Sequence, residues 1–250
     1  QFVLLASLAL SPLATVFAGE FQVNRPGYAL QAEQEGEGPM TVVFESGFGQ
    51  GGGVWKSVIN DLGAKCRCIT YARAGLGKSG TDGRGKLLLV GHSYGGLLAT
   101  EYARAHPDRL QGLVLVDPAT MEQRHEAMQI DRDRVLADDE AMLAMLPPNL
   151  AADYRALIAQ LDSDAALAPH PQADVPVALL TSTNVSTDPF VFEETAQGKA
   201  LWKRQHAALF ASYMRGMHEY LATGHNIQRE KPTAIAGAIR YVAGLETGGE

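Results

Sequence analysis

Short, unbroken apolar runs recur along the chain and are separated by longer stretches of mixed character. Residues 41–44, 67–71, 87–90, 112–116 and 175–181 are such runs, rich in Val, Leu and Ile. Runs of this length that do not alternate with polar residues predict strands buried on both faces, as in the middle of a parallel sheet. Residues 218–222 predict a last short strand, and Phe21-Gln22-Val23 predicts part of an edge hairpin. Between the runs, residues 55–62, 97–106, 193–214 and 232–245 predict helices, the last with Pro232 in its first turn. Strands and helices that alternate in this way predict an α/β fold, a mostly parallel doubly wound sheet covered by helices on both faces.

Two stretches depart from that rhythm. Residues 119–174 contain no strand-like run and are rich in Ala, Met, Leu and Asp. They predict helices near 122–130, 138–146 and 150–161, punctuated by Pro147-Pro148 and Pro169-His170-Pro171. Met121, Met128, Met142 and Met145 fall there at helical spacing and are expected to be ordinary packing. The second departure is the start. Residues 2–18 are almost wholly apolar or small and end in Val16-Phe17-Ala18 before Gly19-Glu20, the pattern of a secretory leader with its cleavage site. The initiator methionine and basic start of such a leader are missing, so the sequence is expected to be truncated there. The expected organisation is a leader over residues 1–18 and one domain over 19–250, with a helical insertion at about 119–174.

Composition narrows the partners. The net charge of −7 offers no basic footprint for nucleic acid, and no like-charge run suggests a tail or membrane patch. The leader is short for a membrane span and Pro12 interrupts it, so no stable span is expected. Cys66 and Cys68 lie two apart in a predicted strand and share one face, where a disulfide would be strained. Two thiols also fall short of a zinc pattern, so buried structural thiols are expected and no metal or organic cofactor is implied.

The chemistry concentrates at Gly91-His92-Ser93-Tyr94-Gly95-Gly96. This is Gly-x-Ser-x-Gly, preceded by a strand-like run and followed by a helix-like one, a context that holds a serine at the tip of a sharp bend. A serine hydroxyl is a weak nucleophile until a base takes its proton, which calls for a histidine. Seven histidines compete. His92 is expected to pack beneath the bend, and His106, His125 and His170 to lie at surfaces or caps. His206 falls in a helix and His218 opens a strand. His225 alone follows a strand, sits after glycine in a loop and precedes the last helix, and is the expected base. In a parallel sheet the reacting groups gather at the carboxyl ends of the strands, where residues 46–49, Ser93, Asp117 and Gly224-His225 all fall.

These pieces, with Glu45-Ser46-Gly47-Phe48-Gly49, the stretch 71–79, residues 113–118 and Gly224-His225-Asn226, resemble the α/β-hydrolases over nearly all of residues 40–245. The resemblance implies a Ser-acid-His triad with the histidine last in the chain, and a helical cap over the serine. It implies Asp117 as the acid, just after the strand that follows the nucleophile's helix. Asp188, in the loop after the next strand, is the second choice. Backbone N–H groups of Tyr94 and Phe48 are implied as the oxyanion donors. The implied activity is hydrolysis of a carboxylic ester or related acyl bond of a small or medium substrate through an acyl-enzyme on Ser93. An acyltransferase, amidase or small peptidase with the same triad remains open, as does a non-catalytic ligand-binding member. Residues 80–85 stand where such chains carry a helix of some two dozen residues. The apolar sheet surface near Leu88 and Val90 is therefore expected to lose cover.

Overall fold

The computed structural model describes residues 18–25, 28–47, 50–71, 86–163 and 172–244. The expected leader, apart from Ala18, and the short connection at 80–85 lie outside the described residues. The strands are β1 (Ala18–Arg25), β2 (Tyr28–Glu35), β3 (Met40–Glu45), β4 (Cys66–Tyr71), β5 (Leu87–His92), β6 (Leu110–Val116), β7 (Val177–Ser182) and β8 (Gly216–Leu221). They form one sheet in the order β1-β2-β4-β3-β5-β6-β7-β8. β1 and β2 form the antiparallel edge hairpin, β2 joins β4 antiparallel, and every pair from β4 to β8 is parallel. The helices are α1 (Lys56–Leu62), α2 (Tyr94–Ala105), α3 (Gln123–Met145), α4 (Pro148–Leu161), α5 (Ala196–Ala211), α6 (Ile227–Glu230) and α7 (Pro232–Ala243).

Each central strand divides its side chains between two cores, because successive residues point to opposite faces. Val42, Phe44, Leu88 and Val90 pack with Leu62 of α1 and Ile235 of α7 on one face. Leu87, Leu89, Leu113 and Leu179 pack with Ala99 and Ala103 of α2 on the other. This alternation corrects the expectation for residues 88 and 90. Both are 0% exposed and pack in one core with residues of α1 and α7. Each such burial contributes roughly 1.5–3 kcal/mol. Cys66 and Cys68 are buried in the same core as free thiols, and burial pushes Cys68 up to about 12, leaving it protonated and unreactive.

Between β6 and β7 the chain forms α3 and α4, and α3 breaks within its length. Residues 122–130 and 138–146, expected as two helices, are halves of one 23-residue α3 broken at Asp131 (φ −151°, ψ 80°). The Asp131 carboxylate accepts the Arg134 N–H at 3.1 Å and so caps the second half. α5 starts three residues later than expected, because the Thr195 hydroxyl accepts the Gly198 N–H at 3.0 Å and serves as its cap. Met145 is 68% exposed, so not every methionine of the insertion is packing.

Candidate active site

The turn from β5 into α2 places Ser93 at φ 54°, ψ −126°, a positive φ that side-chain-bearing residues adopt at a cost of order 1–3 kcal/mol. Backbone bonds hold it there. Ser93 N–H donates to Val116 at 3.2 Å, and the Ser93 carbonyl accepts from Gly96 and Ala119, each at 2.9 Å. Two glycines let the turn close. A Cβ on Gly91 would lie 2.5 Å from the Gly95 carbonyl oxygen, and one on Gly95 would lie 2.4 Å from that of Ser46. Gly95→Ala is therefore expected to lower stability by about 1–3 kcal/mol, read as a lower denaturant midpoint with an unchanged slope. An unshifted midpoint would mean that the β3 end gives way freely.

Asp117 follows β6 directly, also at positive φ (45°), and is 0% exposed. Its carboxylate accepts four hydrogen bonds. Oδ1 takes Ser182 N–H and Trp202 Nε1–H, both at 2.8 Å, and Oδ2 takes Ser182 Oγ–H and His225 Nδ1–H, both at 2.7 Å. Burial would raise this carboxyl, but the hydrogen bond and charge of His225, with His206 and Lys199 beyond, hold it well below the usual carboxylate range. A carboxylate only accepts, so Nδ1 of His225 carries the proton and Nε2 keeps its lone pair for a base's work.

The loop bearing His225 rests on His92. His92 Nε2 donates to the His225 carbonyl at 3.0 Å, leaving Nδ1 to accept from Gln228 Nε2 at 3.3 Å. The two rings lie 4.6 Å apart, centre to centre. Burial, helped by the neighbouring His225, drives His92 down to about 3, so it is a neutral prop, packed beneath the turn as expected. On the other side, His206 donates from Nε2 to the Pro118 carbonyl and accepts on Nδ1 from the Thr181 hydroxyl, both at 2.8 Å. Thr181 in turn accepts from His218 Nε2 at 2.8 Å. This chain fixes the Asp117-Pro118 turn, and burial pulls His206 down to about 4.

Ser93, Tyr94 and His225 border one cavity of about 740 Å³, whose far wall is supplied by α3 and α4 through Met142, Leu150 and Leu157. Arg124 ties that wall together. It bonds Asp139 at 2.8 Å and Asp162 at 2.6 Å, while the Tyr154 hydroxyl donates to Asp139 at 2.9 Å. The structure thus brings Ser93, Asp117, His225 and Tyr94 to one place. Asp188 is exposed in the loop after β7, where its own N–H bonds Ser186, and is not part of this cluster. Phe48 lies outside the described residues. Among the described residues no group of His, Cys, Asp and Glu is placed to hold a metal ion, and no helix is long and apolar enough to cross a membrane.

The family model of the alpha/beta hydrolase fold matches residues 81–163. A crystal structure of a hydrolase from Pseudomonas aeruginosa PA01 superposes with a TM-score of 0.56 at 17% identity, over 90% of this chain and 98% of that one. This chain has the α/β-hydrolase fold. Its curated relatives include a (lyso)-N-acylphosphatidylethanolamine lipase of Homo sapiens, 33% identical over 110 residues, which are 34% of this chain and 32% of the lipase. A pimeloyl-[acyl-carrier protein] methyl ester esterase of Yersinia enterocolitica is 29% identical over 124 residues, 44% of this chain and 48% of the esterase. The chain therefore spans less than half the length of these relatives.

Within this α/β-hydrolase fold, three residues at the site were not expected from sequence: Ser182, Lys199 and Trp202. The signal for two of them was present. Lys199, Trp202 and His206 recur at i, i+3 and i+7, polar groups on one helical face, which is the face that α5 buries.

Proposed function

We propose that this α/β-hydrolase cleaves a carboxylic ester of a small or medium acyl substrate through an acyl-enzyme on Ser93. The observation that carries the reading is the fully buried Asp117 carboxylate bonded to His225 Nδ1, while His225 itself borders the same cavity as Ser93. In this reading His225 Nε2 takes the Ser93 hydroxyl proton as Oγ bonds the acyl carbon. The oxyanion faces the N-terminus of α2, where the Tyr94 N–H lies, with Phe48 as the second donor. The imidazolium then returns its proton to the departing alcohol as the C–O bond breaks, and water removes the acyl group by the same steps. Asp117 stabilises the imidazolium throughout. The α3–α4 insertion acts as a cap whose apolar wall receives the acyl chain. The lipase and esterase among the relatives support an ester as the substrate, and the leader-like residues 1–18 support export to the periplasm or medium.

A fluorophosphonate probe tests the nucleophile. One label per chain is expected, with none on Ser93→Ala at equal folded concentration. Labelling that survives in Ser93→Ala would place the nucleophile elsewhere. A p-nitrophenyl ester series of increasing acyl length then reads substrate size, with a rate maximum expected at short to medium chains.

A further inference from the structure

Lys199 enters the site from the first turn of α5 and is only 4% exposed. Burying an ammonium costs several kcal/mol unless an opposite charge or hydrogen bonds compensate it. Its Nζ donates to Ser182 Oγ at 2.9 Å, and that hydroxyl donates to Asp117 Oδ2 at 2.7 Å, the oxygen that also accepts His225 Nδ1–H. The ammonium lies 5.8 Å from the centre of the Trp202 ring, whose Nε1–H bonds the other oxygen of the same carboxylate. A neutral donor would satisfy Ser182 equally well. A full charge brought to this depth, one hydroxyl away from a buried anion, has its compensation in Asp117.

We propose that Lys199, acting through Ser182, is a positioning residue of this site: its charge, held one hydroxyl away from the Asp117–His225 pair, opposes the binding of a further proton there and so sets the pH below which Ser93 ceases to react. This rests on the serine-hydrolase reading above. The other charged or titratable groups around the Asp117–His225 pair come from every packed element. They are His92 from β5, His206 from α5, His218 from β8 through Thr181, and Arg229 and Glu230 from α6. Arg124, Asp138, Asp139, Glu193 and Glu194 line the cavity that His225 borders. Removing Lys199 takes one cation from this set and leaves the rest. Any proton added to the pair, on carboxylate or imidazole, then binds more tightly, so reactivity is lost at a higher pH.

The test follows the rate of fluorophosphonate labelling of Ser93 from about pH 5 to about pH 9 in the wild type, Lys199→Met, Lys199→Gln and Lys199→Arg, each checked for a cooperative melt. The acid limb is expected to move up by about one pH unit in both neutral variants and to stay in place in the arginine variant. Limbs that coincide with the wild type in Met and Gln overturn the proposal. So does a limb that moves in Met but not in Gln, because hydrogen bonding rather than charge would then be the contribution. A uniformly lower rate with an unmoved limb marks a structural role and also overturns it. A wild type that takes no label at all fails the serine-hydrolase reading itself, and the role of Lys199 falls with it.

Discussion

Asp117→Asn is expected to lower kcat/KM on an ester substrate by about 10⁴-fold, whereas Asp188→Asn is expected to leave it within about twofold. The difference follows from the donors around Asp117. Both carboxylate oxygens face two donors each, Ser182 N–H and Trp202 Nε1–H on one, Ser182 Oγ–H and His225 Nδ1–H on the other. An asparagine amide must turn its NH₂ towards one of these pairs. Turned to His225, it forces the proton onto Nε2 and removes the lone pair that the serine needs. Turned to Ser182 N–H and Trp202, it leaves buried donors unpaired, at about 1–3 kcal/mol for each group. Lys199 loses its counter-charge in either case. A chemical-denaturation midpoint measured beside the kinetics separates the two orientations, since only the second costs mainly stability. Asp188 is exposed and has no hydrogen bond to His225, so its charge is screened by solvent. Turnover of Asp117→Asn within tenfold of the wild type, at an unshifted denaturation midpoint, would sink the assignment.

Acid is expected to destabilise the fold well above the range where carboxylates titrate. His206 and His92 are 0% and 1% exposed, and burial holds them at about 4 and about 3 against an ordinary value of 6.5. As pH falls below 6.5, the unfolded chain protonates both rings while the folded chain does not. The unfolded state binds more protons in that window, so stability falls as pH falls, until the folded rings titrate in turn. For His206 the gap of about two and a half pH units corresponds to about 3 kcal/mol, and by pH 4 His92 has contributed a similar loss. His218, also lowered by burial, pulls in the same direction. Together these are a large part of the 5–15 kcal/mol that typically holds a domain. Asp117 acts below this window, because a depressed carboxyl loses its contribution only as pH falls through the ordinary carboxylate value of 3.8 and below. Unfolding free energies from denaturation at pH 7.5 and pH 4.5 are expected to diverge strongly in the wild type and by about 2.5 kcal/mol less in His206→Gln. Equal pH slopes in the two proteins would mean that His206 titrates normally in the folded state.

How far the site could be read beforehand depended on how local each part is. The bend at Ser93 was legible because strand, glycines and helix are contiguous, and a turn this tight is encoded within a few residues. His225 was legible because its loop directly follows the last strand of a parallel sheet. Asp117 was favoured as the acid on the resemblance alone, with Asp188 left open, since both follow strands and both lie before His225 in the chain. The sheet settles their placement. β6, β7 and β8 pair in parallel with Val116 opposite Leu180 and Ser182 opposite Leu221, which sets the Asp117 turn beside both Ser182 and the loop to His225. The cover over Leu88 and Val90 was misjudged for a related reason. Periodicity says that they point away from Leu87 and Leu89, but not which helix will lie on which face.

Fold class, the serine at the bend and the histidine that follows β8 were readable residue by residue, because strand runs, turn glycines and chain order are properties of neighbouring positions. Which carboxylate meets His225, why Lys199 is buried and what props the two loops emerged from the folded chain. Those depend on strand register and on the seating of α5, which join residues as far apart as Asp117 and Trp202 or His92 and His225.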